Sequence, residues 1–251
     1  MRRLHCHWGV TALLAACTAG PLIAPISVRA ASGPVVVAGS QSQPSPIGSD
    51  VLRLDPALDK LILPGTSLEK VSSGLQRAEG PLWHRAGGYL LLSDLNEIMK
   101  WGPNGSLSIF RNKTYSGTTP PGVRVGTNGL AWDREGRLVA TEHGNRRVSR
   151  FSNDGSVTEL ASRYMGKRFN SPNDLVIKRN GDIYFTDLAY FALLTPRLIG
   201  PEFEQDLDFS GVFRATEQGK IDLLIRDLER PNGIAFSPDE TLLYISTGGS
   251  R

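Results

Sequence analysis

A short phrase recurs four times in this chain, and each copy places an oxygen-bearing side chain directly before an apolar segment. A second apolar run follows each copy after a turn, and the copies are about 40–60 residues apart. Repeats of this length made of short strands are typical of a β-propeller, in which each innermost strand begins near the common axis. The pattern therefore predicts that these side chains surround one axis. The copies occupy 79–83, 128–132, 173–177 and 232–236, and begin with Glu79, Asn128, Asn173 and Asn232.

Short apolar runs bounded by turn residues predict further strands in each repeat unit. Second strands are predicted at 89–93, 138–141, 183–186 and 242–246, third strands at 98–101 and 148–151, and an outer strand at 156–160. Four strands per unit is the count of a propeller blade. The last unit has two strands before Arg251, so the sequence predicts an all-β fold with about three and a half blades in 71–251. Because an open ring leaves strand edges uncovered, we expect a fragment, a truncated chain or an association that covers the gap.

The N-terminal segment has the composition of an export signal. Two arginines precede an uncharged apolar stretch, and 28–30 offers a cleavage site with a small residue. The run 14–17 favours a second mode of cleavage, that of a lipoprotein with a lipid on Cys17. We expect residues 1–30 to direct export to the periplasm or the extracellular space. The stretch 31–70 begins rich in Gly, Ser, Pro and Gln, and is predicted to be a linker and lead-in.

The charge balance argues against nucleic acid as a partner. The chain has 28 basic and 25 acidic residues, and three of the arginines lie in 1–30, which contains no acid. The remainder is formally neutral and has no basic patch with interleaved aromatic residues. Both cysteines, Cys6 and Cys17, lie in the same segment, so no disulfide framework is expected in the folded domain. A membrane contact is expected only through a lipid on Cys17.

The residues available narrow the chemistry that this chain can carry. Only His84 and His143 follow the export segment, which disfavours a histidine-based zinc site. The sequence contains no nucleophile elbow and no phosphate-binding glycine loop. The remaining possibility is a cation site made of side-chain oxygens from Glu79, Asn128, Asn173 and Asn232. Such a mixture of carboxylate and amide oxygens suits Ca²⁺. The alternative is that each asparagine is a turn residue before its strand, but its recurrence at one place in the repeat favours a cation site.

Five motifs, in order, resemble the SMP-30/gluconolactonase family over about residues 71–247. The resemblance implies a six-bladed propeller that holds one divalent cation, Ca²⁺ or a similar ion, in its central channel and hydrolyses lactones. It implies that Glu79, Asn173 and Asn232 are ligands of the cation. It also implies a small-molecule lactone as the partner. Asn128 stands where the family has a substrate contact or an additional ligand, and Arg168, just ahead of the third motif, matches a substrate-contacting arginine. The motifs are 79–81, 141–148, 170–174, 184–187 and 231–239.

The end of the chain departs from the family pattern. A further aspartate ligand, expected from a following blade, has no counterpart in the sequence. The run Ser246-Thr247-Gly248-Gly249 stands where the family continues with an aspartate. Of the ligands that the resemblance implies, Glu79 is therefore the one carboxylate in this chain.

A lactone hydrolase also needs a group that accepts a proton from the attacking water. In the distantly similar paraoxonases a histidine does this, so His143, at the end of a second strand, is the candidate base. The alternative is that His143 hydrogen-bonds a neighbouring turn. Asp94, Glu142 and Asp187 also end second strands. We expect them to be solvated turn acids, with orientation of the cation ligands as the alternative role.

A second functional class fits the same pattern. A non-catalytic or degenerate propeller would bind a sugar acid or a partner in the same central channel. The missing aspartate ligand favours this non-catalytic class. Glu79 and Asn173 favour the enzyme, because a binding module does not need an acid on the axis. A strictosidine-synthase-like propeller is disfavoured by Glu79 and by the Asn173-Asp174 pair.

Overall fold

The computed structural model describes residues 51–115, 117–118, 125–189 and 205–248. The predicted export segment 1–30, the lipidation site Cys17 and the linker up to residue 50 lie outside the described residues. The described chain begins with a 3-10 turn, Pro56–Lys60, whose preceding residue Asp55 accepts a hydrogen bond from the Ala57 backbone N–H at 2.7 Å. No helix within the described ranges is long and apolar enough to cross a membrane.

Antiparallel sheets follow one another along the chain, and each pairs its strands in sequence order. The first blade contains β1 (Ala78–His84), β2 (Tyr89–Asp94), β3 (Glu97–Trp101) and β4 (Leu107–Arg111). The second contains β5 (Thr127–Trp132), β6 (Leu138–Glu142), β7 (Arg147–Phe151) and β8 (Val157–Ala161). The hairpin β9 (Arg163–Tyr164) and β10 (Lys167–Arg168) precedes the third blade, which contains β11 (Pro172–Ile177), β12 (Ile183–Asp187), β13 (Gly211–Ala215) and β14 (Ile221–Ile225). The fourth blade consists of β15 (Pro231–Phe236) and β16 (Leu243–Thr247) among the described residues.

The first strands of the blades contact one another and form the inside of the fold. Strand β5 contacts β1 and β11, and β15 contacts β11. This succession of four-stranded sheets around shared inner strands is the architecture of a propeller. The predicted fold class, an all-β propeller with about three and a half blades, is confirmed.

The blades are held together by apolar side chains between their faces. Phe169, Phe185 and Phe213 are fully buried between the second and third blades, and Phe169 meets each of the other two edge-on at a ring-centroid distance of 5.0 Å. Between the first and second blades the core is largely aliphatic and includes Leu91 and Leu130. Each such side chain contributes about 1.5–3 kcal/mol through burial. This packing fixes the inner strands that carry the predicted site.

The β9–β10 hairpin is an element that the sequence pattern did not predict. Its turn consists of Met165 and Gly166, both with positive φ, at 49° and 82°. Two consecutive residues with positive φ are typical of the tight turns that join short hairpins. The strands are two residues long, too short to show an alternating pattern, and methionine is a weak turn signal.

Candidate functional site

Each innermost strand has a β-bulge immediately at its leading residue. The pairing with the second strand shifts between Glu79 and Leu82 in the first blade, and between Pro231 and Ile234 in the fourth. The same shift follows Thr127 in the second blade and Pro172 in the third. A bulge leaves a residue out of the ladder and redirects the side chains around it. Glu79, Asn128, Asn173 and Asn232 therefore occupy equivalent places at the starts of neighbouring strands.

Close approach between the inner strands explains the glycines that follow some of these residues. A Cβ at Gly80, where φ is +57°, would overlap the carbonyl oxygen of Asn128. A Cβ at Gly129 would lie 2.5 Å from Oδ1 and 2.7 Å from Cα of Asp174. Neither position has room for a side chain, so glycine is required for the strands to pack this closely.

Hydroxyl groups at the ends of the second strands fasten each blade to the next. Ser93 Oγ donates to the Asn128 carbonyl at 2.8 Å. Thr141 Oγ1 donates to the Asn173 carbonyl, and Thr186 Oγ1 to the Asn232 carbonyl, both at 2.6 Å. The backbone of three of the four leading residues is therefore held by the preceding blade. Sequence reasoning missed these contacts, although a hydroxyl residue stands at this place in every unit, at Ser93, Thr141, Thr186 and Ser246.

The acids that follow the first three of these hydroxyl residues are buried, so their prediction as solvated turn acids is wrong. Asp94 is 9% exposed, Glu142 1% and Asp187 0%. Asp94 accepts hydrogen bonds from the backbone N–H groups of Gln76 and Arg77, at 3.0 and 2.5 Å from Oδ1. Asp94 and Asp187 thus accept from the backbone that leads into an inner strand. Glu142 instead accepts from side chains of its own blade, Asn145 and Arg147.

Asp187 shows this role most clearly. It accepts from the backbone N–H groups of Asn170 and Ser171 at 2.8 and 2.6 Å. Burial raises the pKa of the Asp187 carboxyl to about 7, although these two hydrogen bonds and the nearby Arg146 favour its charged form. Asp187 therefore shapes the loop directly before Asn173.

One small pocket lies where the first and second blades meet. Its polar lining includes Arg77, Glu79, Asn128 and His143, and the remaining lining residues are Leu95, Val125, Gly126 and Thr127. Glu79 Oε1 accepts a hydrogen bond from Arg77 Nε at 2.5 Å. The structure therefore places the predicted ligand Glu79 beside the predicted substrate contact Asn128 and the predicted base His143.

His143 lies directly after β6 and is 4% exposed. Its Nε2 is 3.1 Å from Nδ2 of Asn128, an arrangement in which the amide donates and the ring nitrogen accepts. Burial lowers the pKa of His143 to about 3, and the positive charge of Arg77 adds to this effect. His143 is therefore neutral at neutral pH, with a lone pair directed at Asn128.

Arg168 lies in a different cluster. Its Nε donates to Asp206 Oδ2 at 3.0 Å and its terminal nitrogen to Oδ1 at 2.9 Å. Arg146 also approaches Asp206, at 3.4 Å. These hydrogen bonds, above all those from Arg168, lower the pKa of Asp206 to about 2. Among the described pocket residues Arg168 does not appear, so its contact with the substrate stays a prediction.

Asn173 and Asn232 begin the inner strands of the third and fourth blades. Asn173 is 1% exposed, whereas Asn232 is partly exposed. Within the described residues, no hydrogen bond to the side-chain amide of Asn173 or Asn232 is found. Next to Asn173, burial raises the pKa of the Asp174 carboxyl to about 6, with a smaller contribution from the charge of Glu79.

The three predicted ligands have the chemistry that a hard divalent cation requires, a carboxylate from Glu79 and amide oxygens from Asn173 and Asn232, which Ca²⁺ accepts in flexible geometry. Glu79 lines the pocket, whereas Asn173 and Asn232 are not among the described residues that line it. No group of three His, Cys, Asp or Glu side chains in the described part of the chain could hold a metal. A cation held by the predicted ligands would therefore depend on amide oxygens together with the Glu79 carboxylate.

Comparison with known proteins defines the class to which this fold and site belong. The family described as SMP-30/Gluconolactonase/LRE-like region matches residues 77–249. The chain therefore belongs to this family, and the resemblance seen in its motifs is confirmed.

The individual relatives are similar over most of this chain but extend further than it does. A gluconolactonase of Zymomonas mobilis subsp. mobilis is 34% identical over 241 residues, 92% of this chain and 66% of the relative. The solved structure of a gluconolactonase from Xanthomonas campestris matches with a TM-score of 0.69 and 33% identity, covering 82% of this chain and 66% of that one. The strictosidine synthase-like 7 protein of Arabidopsis thaliana is 30% identical over 150 residues, 57% of this chain and 37% of its own. The chain thus spans just under two thirds of the two gluconolactonases.

Proposed function

We propose that this protein hydrolyses a lactone at a divalent cation, Ca²⁺ or a similar ion, held by Glu79, Asn173 and Asn232. The observation that carries the proposal is the pocket that joins Glu79, Asn128 and His143 in a chain of the gluconolactonase family. The named relatives support a sugar lactone as the substrate class.

The chain's own residues would bind and orient the substrate and move a proton. A cation bound here would polarise the lactone carbonyl. The amide Nδ2 of Asn128 can donate to a substrate oxygen, because it already points into the pocket at His143. His143 Nε2 would accept the proton of the attacking water once that water takes the place of the Asn128 amide. Arg77, bound to Glu79, keeps the carboxylate oriented at the pocket wall.

Removal of the cation or of its acid ligand tests the proposal. Hydrolysis of glucono-δ-lactone would be measured with and without EDTA, and in Glu79→Gln. We expect both changes to lower kcat/KM at least about 100-fold, because loss of carbonyl polarisation costs several kcal/mol in the transition state. Glu135→Gln, an exposed acid in a turn of the second blade, is the control and should keep full activity. An unchanged kcat/KM both in EDTA and in Glu79→Gln would refute the metal-dependent mechanism.

A non-catalytic role is the second candidate, and one observation favours it. Thr247 pairs with Pro231, at the register position that Asp94, Glu142 and Asp187 occupy in the other blades. The fourth blade thus offers no acid where the first three do. Calorimetry with gluconate separates the two functions, since binding without any lactone turnover would support a binding module.

We also propose that the protein is exported and that residues 1–30 are its signal. The apolar stretch after two arginines supports this, and Cys17 offers a lipid-bearing terminus as the alternative. The mass of the protein recovered from the periplasmic fraction, compared with that of Cys17→Ala, distinguishes simple cleavage from lipidation. Full-length protein confined to the cytoplasm would contradict export.

A further inference from the structure

The residue after the leading side chain is glycine in three blades and Asp174 in the third. In the first and second blades this position has no room for a side chain, as Gly80 and Gly129 show. The Asp174 carboxylate lies between the inner strands on either side. Its Oδ1 is 2.5 Å from where a Cβ of Gly129 would be, and its Oδ2 is 3.7 Å from the corresponding point at Gly233.

Both oxygens of Asp174 accept hydrogen bonds from N–H groups at bulges. Oδ1 accepts from the Leu175 backbone N–H at 2.9 Å, at the end of the bulge in its own strand. Oδ2 accepts from the Ile234 backbone N–H at 3.1 Å, at the end of the bulge in the fourth blade. A single side chain therefore accepts from two backbone donors, and it joins the third blade to the fourth.

The fourth-blade bulge is held by side chains at three successive residues. The Asn232 carbonyl accepts from Thr186 Oγ1 at 2.6 Å, and the Gly233 N–H donates to Ser246 Oγ at 2.9 Å. Asp174 binds the Ile234 N–H. Two of these three contacts come from the third blade, whose inner strand carries Asn173. The placement of Asn232 relative to Asn173 is therefore set by Thr186 and Asp174.

We propose that Asp174 is a positioning residue, which fixes the fourth-blade bulge so that Asn232 and Asn173 present their amides to the same cation. This inference rests on the proposed cation site. Asp174 itself is not assigned as a ligand, because both of its oxygens are engaged by backbone N–H groups. Its effect passes through the Ile234 N–H to Asn232, two residues earlier in the strand.

Asp174→Gly tests the proposal, since it gives the third blade the residue that the other three carry. The first measurement is amide hydrogen exchange of the 231–236 peptide in the cation-free protein, which should become faster because the Ile234 N–H loses its acceptor. The second is calorimetric titration with Ca²⁺ alone, in which we expect Kd to rise about 10-fold, the usual effect of removing a group that orients a ligand. Asp174→Asn keeps the size and one acceptor oxygen, so its Kd should fall between those of the wild type and Asp174→Gly.

Asp182→Asn is the matched control. Asp182 is also a buried acid of the third blade, but it lies in the β11–β12 turn, where Oδ2 accepts from Asn180 Nδ2 at 3.0 Å. It should leave the Ca²⁺ affinity unchanged whatever its effect on stability. If Asp174→Gly does not fold, the exchange and Kd of Asp174→Asn decide the question.

The outcomes separate this inference from the proposed function. An unchanged Kd in a folded Asp174 variant, with wild-type protein that binds Ca²⁺, would overturn the positioning role and leave the cation site standing. An equal loss of affinity in Asp182→Asn would also overturn it, because the effect would then be general destabilisation. Wild-type protein that does not bind Ca²⁺ would instead refute the proposed function, while the exchange of Ile234 still reports on the contact.

Discussion

The second and fourth blades start with nearly the same residues, Asn-Gly followed by two apolar side chains, yet they lie in different surroundings. Strand β6 is buried along its whole length, whereas β16 is at least partly exposed at every residue, with Tyr244 46% exposed. The inner strand β5 contacts an inner strand on each side, β1 and β11. The described inner strand that β15 contacts is β11. Both inner strands nevertheless form the same bulge. The phrase therefore specifies the local backbone, and the flanking blades decide how tightly it is enclosed.

The same difference affects the predicted site. Asn128 is 5% exposed and hydrogen-bonded to His143, whereas Asn232 is partly exposed and held through its backbone. A substitution at equivalent positions should consequently cost more in the second blade than in the fourth. Two pairs of variants measure this difference, and a third pair compares an acid that joins separate segments with an acid in a fourth-blade turn. They are given from the strongest expected effect to the weakest.

Gly129→Ala and Gly233→Ala form the first pair. A Cβ at Gly129 would lie 2.7 Å from the Asp174 Cα, a backbone atom that cannot move aside easily. At Gly233 the nearest atom is Ser246 Oγ at 3.0 Å, which can rotate. We expect Gly129→Ala to lower the free energy of unfolding by about 3 kcal/mol or more, and Gly233→Ala by about 1 kcal/mol. Urea unfolding followed by tryptophan fluorescence measures both, and equal losses would show that the two inner strands are packed alike.

The repeat phrase and its strands could be predicted from sequence because they depend on local pattern. Apolar runs between glycine-containing turns specify strands wherever they occur, and the residues that lead the inner strands follow from the order of the repeat. Glu79 and Asn128 could thus be placed near one another, and the structure brings both to one pocket with His143. Whether these residues and Asn173 and Asn232 bind a cation stays a prediction.

Contacts between blades could not be predicted in this way. The sequence predicts only that Thr141 lies in a strand. Its hydrogen bond to the Asn173 carbonyl depends on the neighbouring blade and is seen only in the structure. Asp187 reads as a solvated turn acid, because its two backbone donors lie 17 and 16 residues earlier in the chain. In the sequence, Asp174 is noticeable only as the neighbour of Asn173 in a family motif. Its hydrogen bond with the Ile234 N–H joins residues that are 60 positions apart. In each case the missing information is which chain segment packs alongside.

Thr141→Val and Ser246→Ala form the second pair. Thr141 Oγ1 accepts from the Gly129 N–H at 2.8 Å and donates to the Asn173 carbonyl at 2.6 Å, so its loss leaves two buried backbone groups unsatisfied. Among the described residues, Ser246 Oγ binds Gly233 at the partly exposed edge. We expect losses of about 2–3 kcal/mol and about 1 kcal/mol respectively in the free energy of unfolding. Denaturant titration checks the ranking, and Thr141→Ser, which keeps the hydroxyl, should recover most of the loss.

Asp206→Asn and Asp239→Asn form the third pair, which compares an acid that binds across segments with one in a fourth-blade turn. Both have pKa values lowered to about 2, Asp206 mainly by Arg168 and Asp239 by the hydroxyl of Ser237 and by Thr241. Asp206 links the segment after residue 204 to the second blade through Arg146 and to the β9–β10 hairpin through Arg168. Since its folded pKa lies below its ordinary value of 3.8, its contribution to stability is present above about pH 4 and is lost as the pH falls towards 2.

We therefore expect Asp206→Asn to lower the free energy of unfolding at pH 7 by about 1 kcal/mol, at the upper end for a partly exposed ion pair because Arg168 binds both carboxylate oxygens. The difference from wild type should shrink as the pH falls from 4 to 2, where wild-type Asp206 becomes protonated. Asp239 contacts residues of its own turn, so its substitution should not change how the blades are joined. Urea unfolding of both variants at pH 7 and at low pH measures this. A loss for Asp206→Asn that is the same at every pH would show that packing of the side chain, and not its ion pair with Arg168, links the segment to the blades.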